Sequence, residues 1–262
     1  MMQINIWTIL RRFVTGAAVV YLLAPLIIVA ILSLSSAPFL TFPPPGFSLR
    51  WYYQIWSDPD WSSSIVTSIL ITVPTAIIAT AIGTGAAIAA CRCALPAAAA
   101  LSGLIMLPLI IPIIVAAAAI SGAFGALGLQ GTYSGLILAH IVLSIPYVFS
   151  VVRASLQTLN SDVEGAALTL GATPARTLFR VTLPMILPSI LSGFLFAAVM
   201  SFGELVISMF LSSPMIRPVS VQMWSNVRGS VDPTIAAVAT SIFLFTVFVL
   251  ILEHVINRRS RS

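Results

Sequence analysis

The sequence predicts an all-α, polytopic membrane protein with about six transmembrane helices. Hydrophobic residues make up 59% of its 262 residues and charged residues 7%, and the mean hydropathy is +1.10. A soluble domain is usually about one quarter charged, so this composition excludes that class. Long runs without charged residues alternate with short polar segments, as in chains that cross a bilayer repeatedly.

Six apolar runs are long enough to be the predicted spans. The first is longer than the apolar core of a signal peptide, which is about 7 to 15 residues, so we expect an uncleaved helix. Residues 93–152 carry no charge but are too long for one helix, and a glycine cluster between residues 122 and 135 predicts a turn there. The predicted spans are residues 13–34, 63–90, 95–120, 135–152, 185–211 and 234–256.

Arginines set the expected orientation, because positively charged loops stay in the cytoplasm. With both termini cytoplasmic, Arg50, Arg217 and Arg228 lie outside, and nine lie inside: Arg11, Arg12, Arg92, Arg153, Arg176, Arg180, Arg258, Arg259 and Arg261. The chain has no lysine, so it cannot form a Walker A nucleotide site. Any step driven by ATP therefore needs a partner.

Glu204 is the leading candidate for a pathway residue. It lies within the fifth predicted span, where an ionised carboxylate is costly unless it is paired or faces water. It could face a cation pathway, or a protonated side chain could join two helices by a hydrogen bond. Ser201, Phe202 and Ser208 are close enough in helical spacing to share its face. Prolines 74, 108, 112 and 146 are expected to bend spans around a cavity.

A polar island at residues 164–184 separates two apolar runs and predicts two short helices with a sharp joint. Ser161 and Glu164 have the spacing of a capping box that begins the first helix. Gly171 can end that helix in a left-handed conformation. Thr173 suits an N-cap and Pro174 the first helical position, so a second helix can follow at once.

This island resembles the signature loop of the inner-membrane permease subunits of bacterial ABC importers. The residues in register with that signature are Ala166, Ala167, Gly171, Leu183 and Pro184. Val181 replaces its isoleucine, and Gly165 occupies the position of its glutamate, with Glu164 one residue early. The resemblance implies that the island is a coupling helix seated in a groove of a cytosolic ATPase. Arg176 and Arg180 are candidates for acidic ATPase residues or for lipid headgroups.

The segments from Phe202 onward and around residues 43–61 resemble the polyamine, opine and phosphonate branch of these importers, including the second permease of the spermidine/putrescine system. That branch implies a polyamine as solute, with phosphonate, opine or ferric iron as alternatives. Family members often carry an aspartate before the acid of the fifth helix, where this chain has Gly203. Aromatic residues 51, 52, 53, 56 and 61 are expected at the lipid headgroups, with contact to a binding protein as the alternative.

The resemblance also implies the assembly. We expect one permease domain over residues 1–262, of the type I importer fold, with its coupling loop within residues 153–184, in the bacterial inner membrane. Expected partners are two ATPase subunits that bind ATP and magnesium, a second and paralogous permease, a periplasmic solute-binding protein and membrane lipids. No catalytic residue, cofactor or nucleic-acid partner is expected in this chain. No metal site is expected either, since Cys91 and Cys93 are too few to hold zinc, which usually has four ligands.

Three other classes compete with this interpretation. A secondary transporter also has broken helices and buried acids, but an ion gradient drives it. An intramembrane hydrolase would need a nucleophile and a base, and no Gly-x-Ser-x-Gly or His-Glu-x-x-His motif occurs. An assembly factor could dock a cytosolic protein through the same island without moving a solute.

Overall fold

The computed structural model describes residues 6–92, 98–229 and 232–259, and within them every regular element is helical. The all-α prediction is therefore confirmed. Cys93, residue 95 at the start of the third predicted span, and Arg261 lie outside the described residues. The helices are α1 Ile6–Ser33, α2 Arg50–Ser57, α3 Pro59–Arg92, α4 Ala98–Ile110, α5 Ile113–Ala126, α6 Tyr133–Thr158, α7 Ser161–Thr169, α8 Pro174–Thr177, a π-helical turn Leu178–Thr182, α9 Leu183–Gly203, α10 Val206–Leu211, α11 Val219–Arg228 and α12 Thr234–Arg259.

Four continuous helical segments are long and apolar enough to cross a bilayer: Leu10–Ser33, Pro59–Arg92, Tyr133–Thr158 and Pro174–Gly203. The pair α4 and α5 would make a fifth span if it crosses as one unit. The sixth predicted span falls in α12, whose apolar part within the described residues runs over Thr234–Phe248. A six-span count and the cytoplasmic placement of both termini stay predictions.

The third predicted span is not a single helix. Helices α4 and α5 meet at an angle of 100° across Ile111 and Pro112. Pro112 has no amide hydrogen to donate, and it disfavours a helical conformation at Ile111. Proline at this point therefore divides the apolar run into two half-helices.

The helix found at the fifth predicted span differs from the predicted bounds at both ends. The helix that begins at Pro174 does not stop at the end of the island, but continues through the π-helical turn into α9. It ends at Gly203, and Glu204 has extended backbone angles of φ −69° and ψ 112°. A separate short helix, α10, follows. The predicted span of residues 185–211 is thus a longer helix followed by a break.

The described chain divides into two compact units, and the first contains Met1–Ser62 and Met223–Leu250. In it, the segment after α1 folds back, and Ser36 donates its amide to Gly46 O at 2.9 Å. The indole nitrogen of Trp51 donates to Ser35 O at 2.7 Å, and Trp51 is buried. Tyr53 is exposed. Headgroup contact is therefore the wrong prediction for Trp51, because its indole N–H has a partner inside the protein, and for Trp61, because its side chain is fully buried.

The second unit contains Ser63–Gln222 and Ile251–Ser262, and it holds both candidate sites. Its core joins α3, α6 and α9 around Val148 and Phe149, which are fully buried. A side-chain carbon added to Gly83 would lie 2.8 Å from Val148 Cβ, and one added to Gly193 would lie 3.2 Å from Val148 Cγ1. Small residues allow this close approach of helices in a membrane protein.

Candidate functional site

A cavity of about 330 Å³ opens where the break between α4 and α5 faces α6 and the end of α9. Half-helices that meet at a cavity are a common way to build a solute or ion site in a membrane. The break contributes a mostly apolar wall, residues 108–113, joined by Leu143 and Met200. The polar residues that line the cavity are His140, Ser144, Tyr147, Ser201 and Glu204.

Glu204 is buried in the break between α9 and α10 and lines this cavity. Its Oε1 atom accepts a hydrogen bond from the amide of Ile207 at 3.0 Å, so the carboxylate caps α10. Its carbonyl oxygen accepts one from Ser220 Oγ at 2.9 Å. The carboxylate is thus fixed at the first turn of α10 by a backbone amide.

His140 connects the two helices on either side of the break at Glu204. Its Nδ1 lies 2.9 Å from Ser201 Oγ on α9, and its Nε2 lies 3.1 Å from Ser208 Oγ on α10. Ser201 Oγ also donates to Thr72 Oγ1 on α3 at 3.4 Å. Both ring nitrogens of a buried histidine are therefore used within the protein. This network fixes the wall that carries Glu204.

The sequence-predicted pathway residues separate in the structure. Glu204 and Ser201 line the cavity, whereas Ser208 is buried behind it against His140 and Phe202 is not among the lining residues. Sequence reasoning did not select Ser144 or Tyr147 as parts of the wall, but it did expect Pro108 and Pro112 to bend a span around a cavity, and both prolines line this one. The proline spacing at residues 108 and 112 was the available signal for the break.

The polar island forms the joint that its sequence predicts. Gly171 has a φ of +87°, and its amide bonds Leu168 O at 3.0 Å. Thr173 Oγ1 accepts from the amide of Arg176 at 3.3 Å, and Pro174 begins α8. The N-cap of α7 is Asn160, whose side chain bonds the amide of Asp162 at 2.9 Å. The predicted cap at Ser161 is wrong by one residue.

An exposed groove of about 330 Å³ runs along this joint. Leu170 is 89% exposed at its edge and Phe179 is 67% exposed nearby. Five of the predicted coupling residues line the groove: Ala167, Gly171, Arg176, Arg180 and Val181. Both arginines are exposed. Ala166 lies on the exposed face of α7, Leu183 packs against the core, and Pro184 lies exposed in the first turn of α9.

Glu164 points into the protein and not toward the groove. Its Oε2 atom lies 2.9 Å from Arg92 Nε, and its Oε1 accepts from Thr182 Oγ1 at 2.7 Å. Arg92 in turn donates to Leu156 O at 3.0 Å. The carboxylate thus joins the island to the C-terminal ends of α3 and α6 and to the π-helical turn.

Residues 59–262 match the model of a protein family described as binding-protein-dependent transport system inner membrane component. This match covers most of the chain, including the cavity and the island.

The chain is similar in sequence to several bacterial permeases. It is 33% identical over 230 residues to the putrescine transport system permease protein PotI of Escherichia coli strain K12, covering 85% of this chain and 81% of that protein. It is 28% identical over 215 residues to the spermidine/putrescine transport system permease protein PotC of Haemophilus influenzae, covering 82% and 84%. It is also 28% identical over 233 residues to the molybdenum transport system permease protein ModB of Mycobacterium bovis, covering 82% and 87%.

Two crystal structures show the same fold. A chain of a bacterial ABC transporter involved in the import of the acidic polysaccharide alginate matches with a TM-score of 0.69 and 16% identity, covering 100% of this chain and 99% of that one. A chain of a bacterial alginate ABC transporter in complex with an alginate pentasaccharide-bound periplasmic protein matches with a TM-score of 0.68 and 15% identity, covering 97% and 94%.

Proposed function

Because the chain belongs to the family of binding-protein-dependent transport system inner membrane components, we propose that its cavity lies on the pathway of a small organic cation. The proposed solute class is a polyamine such as putrescine or spermidine. The chain is a multi-pass permease of the ABC importer type, and the proposed activity is transport without chemical change to the solute.

The charge on the cavity wall carries this proposal. Glu204 is the acid among the lining residues, and no arginine is among them. A carboxylate beside an apolar wall attracts an ammonium group more strongly than it would in bulk water. The apolar wall at residues 108–113 suits the methylene chain of an alkyl amine. A polyamine carries both ammonium groups and methylene chains in one molecule.

The other solutes considered fit the same wall less well. A phosphonate or another oxyanion would face the carboxylate of Glu204 with no arginine to offset the repulsion. The described residues contain no cluster of three or more histidine, cysteine, aspartate or glutamate side chains suited to hold a metal ion. Ferric iron would therefore have to pass as a complex. The similarity to a molybdenum permease means that the choice of solute rests on the cavity and not on the family.

The energy source is proposed to be a pair of partner ATPases. The chain has no lysine for a Walker A loop, so it depends on a partner for ATP and magnesium. The island offers an exposed groove with the apolar side chains Leu170 and Phe179 and the cations Arg176 and Arg180. Exposed apolar residues beside positive charges suit a complementary protein surface.

The proposal includes a second permease, which would be a paralogue, and a periplasmic protein that delivers the solute. Support comes from the family, whose description names a binding protein, and from a structurally similar transporter that was solved with its periplasmic protein. Closure of the ATPases would move the island, and the helices around the cavity would alternate between outward and inward openings.

The test is uptake into proteoliposomes that contain this chain with its cognate permease, ATPase and binding protein. Labelled spermidine, putrescine, 2-aminoethylphosphonate and ferric citrate are compared with and without ATP. We expect ATP-dependent uptake of a polyamine. Preferred uptake of the phosphonate or iron complex would overturn the cation assignment. Uptake that ignores ATP and stops when ion gradients are dissipated would assign a secondary transporter instead.

A further inference from the structure

The contacts of Glu164 differ from those expected of an acid that faces a partner protein. Its side chain is 14% exposed and both carboxylate oxygens have partners in this chain, Arg92 and Thr182. Gly165, which occupies the position of the signature glutamate, lies on the exposed face, and a side-chain carbon placed there would meet no atom within 4 Å. The acid of this island is thus turned inward.

Arg92 extends the contact to a third helix. It is the last residue of α3, where a cation also stabilises the helix dipole, and it donates to the carbonyl oxygen of Leu156 on α6. With 26% of its side chain exposed, its bond to Glu164 is partly shielded from water. Charge-assisted hydrogen bonds of this kind are stronger and more directional than neutral ones.

Thr182 places the other end of the network at an irregular point of the backbone. It is buried and closes the π-helical turn that leads from α8 into α9. Single π-helical turns inside helices are frequent at functional sites. Helix α9 then runs without another break to Glu204 at the cavity. The Glu164 carboxylate therefore contacts α3 through Arg92, and it contacts the start of α9, the helix that ends at the cavity, through Thr182.

We propose that the Arg92–Glu164–Thr182 network is a positioning element that transmits movement of the island to α3 and α9, while Glu164 makes no contact with the ATPase. This inference rests on the proposed function, because it presumes an ATPase that moves the island. Movement of α7 would carry Glu164 with it and pull on both partners together. Without the network, the island would still dock, but its motion would reach the cavity less completely.

The test compares Glu164→Gln, Arg92→Gln and the double variant in the reconstituted complex. Glutamine at position 164 keeps an oxygen acceptor for Thr182 and removes the ion pair. The control is Arg153→Gln, an arginine of α6 that lies over the ring of Phe149 at 5.7 Å. Co-purification of the ATPase, ATP hydrolysis and solute uptake are measured on the same samples.

We expect each single variant to co-purify normally and to hydrolyse ATP, while solute moved per ATP falls about tenfold, the loss typical of one charge-assisted hydrogen bond. The double variant should lose no more than Arg92→Gln alone, because both single changes remove the same ion pair and Arg92→Gln also removes the bond to Leu156 O. The charge exchange Arg92→Glu with Glu164→Arg should recover part of the ratio, which a purely structural defect would not. The Arg153→Gln control should stay fully coupled.

Three results distinguish a failure of this inference from a failure of the proposed function. If the wild-type complex shows no ATP-dependent uptake, the proposed function and this inference both fail. If the wild type is coupled and Glu164→Gln and Arg92→Gln are coupled equally well, only the inference fails. Loss of ATPase co-purification in Glu164→Gln would also overturn it, since the residue would then be a docking contact.

Discussion

Glu164 and Glu204 are acids set in the same apolar unit, yet their surroundings differ in charge. Glu164 is paired with Arg92 and bonded to Thr182, so its charge is matched inside the protein. Glu204 bonds the amide of Ile207 and lines a cavity where no arginine is found. A matched charge holds helices together, whereas an unmatched one on a cavity is available to a ligand. The residue type alone distinguishes neither role.

The same contrast extends to the regions around the two acids. The island is exposed and depends on the backbone at Gly171, while the cavity wall depends on side-chain hydrogen bonds from His140. We therefore expect changes at the island to affect coupling to the ATPase and changes at the cavity to affect the solute. The following four variants test that division.

The largest effect is expected for Gly171→Pro. Proline requires a φ near −65°, whereas Gly171 has +87°, and the bond from its amide to Leu168 O would be lost. We expect a cost of about 3 kcal/mol or more at the joint and no detectable co-purification of the ATPase. Gly165→Ala, on the open face of α7, is the matched control and should co-purify normally. Normal co-purification of Gly171→Pro would break the proposed role of the island.

Next in size is Glu204→Gln. Glutamine keeps an oxygen that can cap α10, so the break should remain while the charge is removed. We expect putrescine uptake to fall about 10- to 100-fold, which corresponds to a lost hydrogen bond with a charged group. The ATPase should still co-purify. Unchanged putrescine uptake would exclude Glu204 from the cation pathway.

A moderate loss of stability is expected for His140→Leu. The change removes both ring nitrogens and leaves the hydroxyls of Ser201 and Ser208 without their partner on α6. The cost should be about 1–3 kcal/mol, seen as a lower unfolding temperature of the purified permease in detergent. Thr80→Val is the control, because the Thr80 hydroxyl is buried with no hydrogen-bond partner among the described residues. An equal decrease in both variants would argue against the bridging role.

The smallest effect is expected for Gly165→Glu. This change restores an acid at the signature position, where there is open space, and glutamate favours a helix over glycine by about 0.5 kcal/mol. An exposed ion pair adds about 0.2–1 kcal/mol, so ATPase affinity in a titration should rise about two- to fivefold. An unchanged affinity would show that the open face of α7 does not meet the ATPase.

Local chemistry made the island predictable from the sequence. Gly171, Thr173 and Pro174 each favour one backbone conformation, and the structure has the predicted positive φ, N-cap and helix start. The apolar runs also predicted the helical class, because a long charge-free segment has few other stable forms in a membrane. Asn160 replaced Ser161 as the N-cap because both side chains suit that position, and one residue of shift is within the normal uncertainty of a helix boundary.

Contacts between distant parts of the chain were not predictable in the same way. Three helices, α4, α5 and α6, separate Arg92 from Glu164 in sequence, and no local pattern pairs the two residues. The break at Ile111 and Pro112 depends on which proline in a proline-containing run interrupts the helix. The environment of Glu204 likewise depends on α4, α5 and α6, which approach it only in the folded protein.

The most direct measurement of this division compares Glu164→Gln and Glu204→Gln in the same proteoliposome preparation. Putrescine uptake and ATP consumption are recorded together over a range of putrescine concentrations. We expect Glu204→Gln to lose putrescine uptake and its stimulation of ATP hydrolysis, and Glu164→Gln to keep ATP hydrolysis while moving less putrescine per ATP. Identical profiles for the two variants would contradict the assignment of separate roles to the two acids.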